Sequence, residues 1–132
     1  MAKTILQTVV FKNTPPETLY NIYMDAKKHS EATGGKAKIS SMIGSSFSTW
    51  DGYITGKTLQ LIKGKMILQS WRSSDFKSND LDSTFILQFE KKGNDAVLHM
   101  VHANVPDHQF TAVKDGWNNF YWVPWRKYLS GR

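Results

Sequence analysis

Between residues 36 and 105 the chain holds five stretches rich in β-branched and aromatic residues: Phe47–Trp50, Tyr53–Ile62, Met66–Arg72, Ser83–Lys91 and Ala96–Ala103. Three of the separators are very short and carry turn chemistry, namely Asp51-Gly52, Lys63-Gly64-Lys65 and Lys92-Gly93-Asn94-Asp95. A parallel crossover needs a dozen or more residues, so these neighbours can only pair antiparallel. Phe85, Leu87 and Phe89 alternate with Thr84, Gln88 and Glu90, and Leu98, Met100 and His102 share one face. The pattern predicts a curved antiparallel sheet, packed on one side and wet on the other.

What must cover that packed side lies at the two ends of the chain. Ile5 to Phe11 reads as a first strand. Thr14-Pro15-Pro16-Glu17 then reads as a capping box, with Thr14 at N-cap and Glu17 at N3. Leu19, Ile22, Tyr23 and Ala26 repeat at helical spacing, and Asp25 can cap a second short helix that stops at Gly34-Gly35. After Pro106 the helical period returns: Trp117, Phe120, Tyr121, Pro124, Trp125, Tyr128 and Leu129 form a wide stripe, with Pro124 expected to bend it. The expected fold class is therefore α+β. A curved antiparallel sheet grips one long C-terminal helix, with two short helices after the first strand.

Residues 1–132 are expected to form a single domain, the size at which one core suffices. The absence of cysteine excludes disulfides, Cys-ligated metals and thiol nucleophiles. No apolar run approaches the roughly 20 residues that span a bilayer, so no membrane role is expected and the default location is cytoplasmic. The net charge of +6 comes from lysines scattered along the whole chain, with only three arginines. Dispersed lysine describes a surface better than a nucleic-acid reader, which favours arginine forks.

A family resemblance rests on several segments. Asp51-Gly52-Tyr53-Ile54-Thr55-Gly56 followed by Ile67-Leu68-Gln69-Ser70-Trp71-Arg72 resembles the paired "G-x-I-x-G … I-x-Q-x-W-R" signature of the activator-of-heat-shock-protein-90-ATPase homologue domain, within the START-like helix-grip superfamily. Lys28-His29 through Gly34, Val105-Pro106, Gly116-Trp117 and Tyr121-Trp122 continue the likeness in order. The resemblance implies a sheet wrapped around the last helix, often enclosing an apolar cavity, and heat-shock protein 90 as a partner. In the eukaryotic activator the main stimulating contacts come from an N-terminal domain that has no counterpart in these residues, so chaperone activation is set apart from the binding that the likeness implies.

The residues offer little for catalysis. His99 and His102 lie three apart on a strand and face opposite sides, and no histidine has metal-ligand spacing with a carboxylate, so no metal, cofactor or catalytic residue is expected. No nucleophile elbow or phosphate loop is present. The aromatics carry more. Trp50, Trp71, Trp117, Tyr121 and Trp125 belong to elements that should meet between sheet and helix, where they either fill a core or line a cavity. His102 is either a core histidine or a polar anchor in that cavity, and Arg72 either an edge ion pair or a group orienting a ligand's polar end. The leading expectation is a non-enzymatic binding protein for a small apolar ligand or a protein partner, as monomer or homodimer. The alternatives are a cavity enzyme of the same superfamily and, third, an anion or nucleic-acid binder through surface lysines.

Overall fold

In a computed structural model, which describes residues 2–131, the chain enters on β1 (Ala2–Phe11) and turns into α1 (Pro16–Met24) and α2 (Ala26–Thr33). Then follow β2 (Ser46–Thr49), β3 (Ile54–Ile62), β4 (Met66–Ser73), β5 (Ser83–Lys92) and β6 (Asp95–Pro106). The C-terminal helix comprises α3 (Phe110–Trp117), a π-helical turn at Asn118–Trp122, and α4 (Val123–Ser130). All six strands form one sheet in the order β1-β6-β5-β4-β3-β2, every pair antiparallel. The α+β helix-grip expectation holds.

The helix starts show which local signals dominate. α1 does not begin with the expected capping box. A residue preceding proline is pushed out of the helical region, so Pro15 stays extended at ψ 143° and the helix starts at Pro16. Thr14 is left one position outside, buried, with its hydroxyl donating to the Lys12 carbonyl at 2.8 Å. α2 follows expectation: the Asp25 carboxylate accepts from the Lys28 amide at 3.0 Å, and the helix stops at Gly34. Asp25→Ala should therefore cost about 1 kcal/mol, read as a lower denaturant midpoint with an unchanged slope.

Strand alternation builds the inner face. Ile5 and Phe11 of β1, Leu98, Met100 and His102 of β6, Phe85, Leu87 and Phe89 of β5, and Ile67, Gln69 and Trp71 of β4 are all buried. Leu19, Ile22 and Tyr23 of α1 press on the same face, as do Trp117, Tyr121, Trp122 and Trp125 of the last helix. At Gly56 of β3, an added Cβ would lie 2.0 Å from the Ser70 carbonyl oxygen and 2.6 Å from the Phe47 ring, so only glycine lets β2, β3 and β4 approach this closely.

Pro124 shapes the last helix differently from a simple bend. Lacking an N–H, it cannot bond to the Phe120 carbonyl, and the turn ahead of it widens: the Val123 N–H bonds to Asn118, five residues back. In a regular α-helix residues five apart diverge by about 140°. Here Trp117 and Trp122 stack face to face, with centroids 5.3 Å apart and planes 15° apart. Gln7 of β1 holds the widened region, accepting from Trp122 Nε1 at 2.7 Å and donating to the Lys114 carbonyl at 3.2 Å.

Candidate functional site: an aromatic cavity at the mouth of the grip

Between the β2–β3 turn, the ends of β3 and β4, and the last helix lies an open cavity of about 390 Å³. Six aromatic side chains line it: Trp50, Tyr53, Trp71, Trp117, Phe120 and Tyr121. Ser73 and Gln109 are the polar side chains in the lining, which contains no Lys, Arg, Asp, Glu or His. An apolar cavity of about 150 Å³ takes one benzene ring, so this volume suits a ligand of two or three rings or a comparable aliphatic body.

Strained backbone holds the mouth. Trp50 and Asp51 both lie in the left-handed region, at φ 55° and 57°. Asp51 and Gly52 are the central residues of the hairpin turn, where such values are demanded. Trp50 is not, and a bulky residue held there costs of order 1–3 kcal/mol. The gain is position: its indole lies against Gly35, where an added Cβ would fall 2.3 Å from the ring, and contacts Phe120 and Tyr121 edge-on at 5.6 and 6.2 Å. Beside it, Tyr53 is hydrogen-bonded to the Asp75 carboxylate at the rim.

Behind the lining lie two buried polar relays. Trp117 Nε1 donates to His102 Nδ1 at 2.9 Å, so the imidazole proton sits on Nε2. Nε2 then donates to Ser83 Oγ at 2.8 Å, and Ser83 to the Trp71 carbonyl at 2.7 Å. In the second relay, His29 Nδ1 donates to the Tyr23 carbonyl at 2.9 Å and Nε2 accepts from the Tyr121 hydroxyl at 3.0 Å. Tyr23 in turn donates to Gln69 at 2.7 Å, and Gln69 to Thr58 at 3.1 Å. Burial disfavours the charged imidazolium and lowers His102 from 6.5 to about 3 and His29 to about 4. Burial likewise raises the Tyr121 hydroxyl to about 12, against the opposing pull of Thr49 and Trp50 beside it. Both histidines are neutral, saturated with partners and closed to solvent.

Of the six residues singled out from the sequence, Trp50, Trp71, Trp117 and Tyr121 meet in the cavity lining. His102 stands behind Trp117 and does not line it, and no polar anchor is formed there. Arg72 lies away from the cavity: its guanidinium donates to the Asp80 and Lys77 carbonyls at 2.7 Å each and pairs with Asp82 at 3.2 Å. It thereby clamps the loop between β4 and β5. His29, Tyr23 and Tyr53 were not singled out as site residues. His29 and Tyr121 are 92 residues apart, and no sequence spacing connects them. Among the described residues no cluster of His, Asp or Glu could hold a metal, and no helix is long and apolar enough to cross a membrane.

With the geometry in view, the chain can be set beside known proteins. Residues 13–123 match the family described as activator of Hsp90 ATPase homolog 1-like protein. The activator of 90 kDa heat shock protein ATPase homolog 1 of Mus musculus is 26% identical over 108 residues, covering 82% of this chain. The match spans only 32% of that relative, so the chain corresponds to about a third of the curated activator's length. A crystal structure described as an HSP90 activator from Plasmodium falciparum superposes with a TM-score of 0.87 at 25% identity, covering 96% of each chain. The solution structure of the Aha1 dimer from Colwellia psychrerythraea shares the fold, with a TM-score of 0.76 at 15% identity over 92% of each chain.

Proposed function

The chain belongs to the activator of Hsp90 ATPase homolog 1-like family, and on that premise we propose that it is a non-enzymatic, cytoplasmic binding domain whose aromatic cavity takes a small, uncharged apolar ligand. The observation that carries this reading is the lining itself: six aromatic rings around about 390 Å³, with no Lys, Arg, Asp, Glu or His among the lining residues. Apolar walls with few polar groups are what such ligands need. The same lining disfavours a cavity enzyme, because the two histidines behind it are saturated by protein partners and have no path to a ligand.

The test uses the neutral fluorophore N-phenyl-1-naphthylamine. Wild-type protein should bind it at about one equivalent with quenching of tryptophan emission. Gly35→Ala pushes a Cβ against the Trp50 ring, so the indole at the mouth must move while the core behind it stays packed. Binding should weaken about tenfold or more with little change in melting temperature. Equal binding by wild type and Gly35→Ala, or none by wild type, would remove the cavity from the function. Native mass spectrometry of freshly purified protein would then show whether an endogenous ligand accompanies it.

A second reading is that a heat-shock protein 90 chaperone is the partner. It is favoured by the 25% identity, over 96% of both chains, to the Plasmodium falciparum HSP90 activator. Titration calorimetry against the chaperone, with the cavity empty and with it filled by the fluorophore, separates the two readings.

A further inference from the structure

The outer face of the sheet carries a second feature, independent of the cavity. The strand register places Leu6 opposite Val101, Val101 opposite Ile86, and Ile86 opposite Leu68. All four project away from the core, forming one apolar row across β1, β6, β5 and β4. A neighbouring row on the same face runs Thr8, His99, Gln88, Met66 and Ile62, and Val10 lies beside Val97 one step further on. Leu6 is 72% exposed, Ile62 52%, Val10 40% and Val101 39%.

Charge makes this face unusual in a chain with a net charge of +6. The outward positions of these two rows include no lysine or arginine, and the flanking row of Ala103, Thr84 and Ser70 ends on β3 at Lys57. Arg72 lies at its border, and His99 of the second row pairs with Glu90 beside Val97. An acidic partner would gain nothing here and would be drawn to the lysines elsewhere. What suits a weakly apolar sheet face whose two central rows carry no Lys, Arg, Asp or Glu is another of the same kind, and a second copy of the chain presents one with matching shape. Two copies each carrying +6 repel, so the surface they share must be the one that leaves the lysines outside.

We infer that the outer sheet face is an isologous homodimer interface, formed by stacking the Leu6–Val101–Ile86–Leu68 rows of two copies. Sheets stack face to face about 10 Å apart with their strands nearly aligned. Five strands at about 4.8 Å and three outward rows at about 6.8 Å give roughly 500 Å² per copy. The total of about 1,000 Å² lies at the lower limit of specific interfaces and implies a dimer in concentration-dependent exchange. Joining through strand edges is disfavoured at both ends of the sheet. Arg126 donates to the Val10 carbonyl at 3.1 Å along the β1 edge, and Lys38 already bridges to Ser48 on β2.

Sedimentation velocity on the whole chain, from about 10 μM to about 1 mM, tests this in the range where interfaces of this size assemble. The weight-average sedimentation coefficient should rise with concentration towards that of a dimer. Added salt should tighten association several-fold by screening the repulsion between like-charged copies. Val101→Lys and Ile86→Lys should each leave a monomer at every concentration, whereas Met42→Lys, on an exposed loop elsewhere, should behave as wild type. Both sites point to solvent in the monomer, and unchanged near-ultraviolet circular dichroism will verify that the variants are folded. A wild type that stays monomeric throughout overturns the inference and leaves the face to a different partner. A dimer that survives both lysine variants also overturns it, as one built through a strand edge would.

Discussion

Lowering the pH from 7 to 5 should remove about 4 kcal/mol of stability through two buried histidines. His102 and His29 titrate at about 3 and about 4 in the folded protein, against 6.5 when unfolded. A folded pKa below the unfolded one means that the unfolded chain takes up protons first, so acid favours unfolding. The contribution is complete above pH 6.5 and is lost as the pH falls from there towards the folded values, at about 1.4 kcal/mol per unit for each group. At pH 5 each histidine has lost about 2 kcal/mol, against a total of about 5–15 kcal/mol for a typical domain. The cause is structural: protonating His102 puts a fifth-wheel proton on Nδ1, which accepts from Trp117, and protonating His29 does the same to Nε2, which accepts from Tyr121. The lowered carboxylates Asp80, Asp95 and Asp107 add their losses only at lower pH, through their own range near 4 and below. On the alkaline side the raised Tyr23 and Tyr121 hydroxyls give stability that is present below pH 10 and lost above it. Urea titrations at pH 7, 6 and 5 measure the slope, and His102→Gln should roughly halve it. A stability that is flat between pH 7 and 5 would mean that neither imidazole is held neutral.

The strands were readable to within a few residues because their separators are short and chemically explicit. Asp51-Gly52 takes the turn that its composition demands, and β3 to β6 follow. The same alternation that placed Leu98, Met100 and His102 inside also says that Arg72 points opposite to Trp71, so its distance from the cavity was legible in strand parity. The motif residues have separable roles: Gly56 lets three strands close up, Trp71 lines the cavity, and Arg72 holds a loop. What sequence could not convey depends on long-range pairing. The hydroxyl of Tyr121 finds His29 only because α2 and the last helix pack together, and nothing local marks either residue as a partner. The π-helical turn escaped for a related reason: a search at α-helical spacing puts Trp117 and Trp122 on different sides, and only the bond from Val123 back to Asn118 unites them. Thr14 misled because local capping chemistry was read without the restriction that Pro16 imposes on Pro15.

Trp117→Ala should be the most damaging substitution, lowering stability by about 3–5 kcal/mol, the range for deleting a large buried aromatic. One ring serves three purposes here. It stacks on Trp122, forms a wall of the cavity, and supplies the N–H that His102 Nδ1 accepts. Trp117→Phe separates these roles, keeping most of the packing while leaving a buried acceptor without its donor, at a cost of about 1–3 kcal/mol. If that cost is the price of an unpaired imidazole nitrogen, removing the nitrogen should recover part of it. Ser83 keeps its bond to the Trp71 carbonyl when His102 is gone, so His102→Leu does not strand it. The double variant Trp117→Phe/His102→Leu should therefore be less unstable than the sum of the two single variants, with a coupling of about 1 kcal/mol or more from denaturant titrations of all four proteins. Strict additivity would mean that the Trp117–His102 bond contributes nothing, and that the ring is retained for packing and the cavity alone.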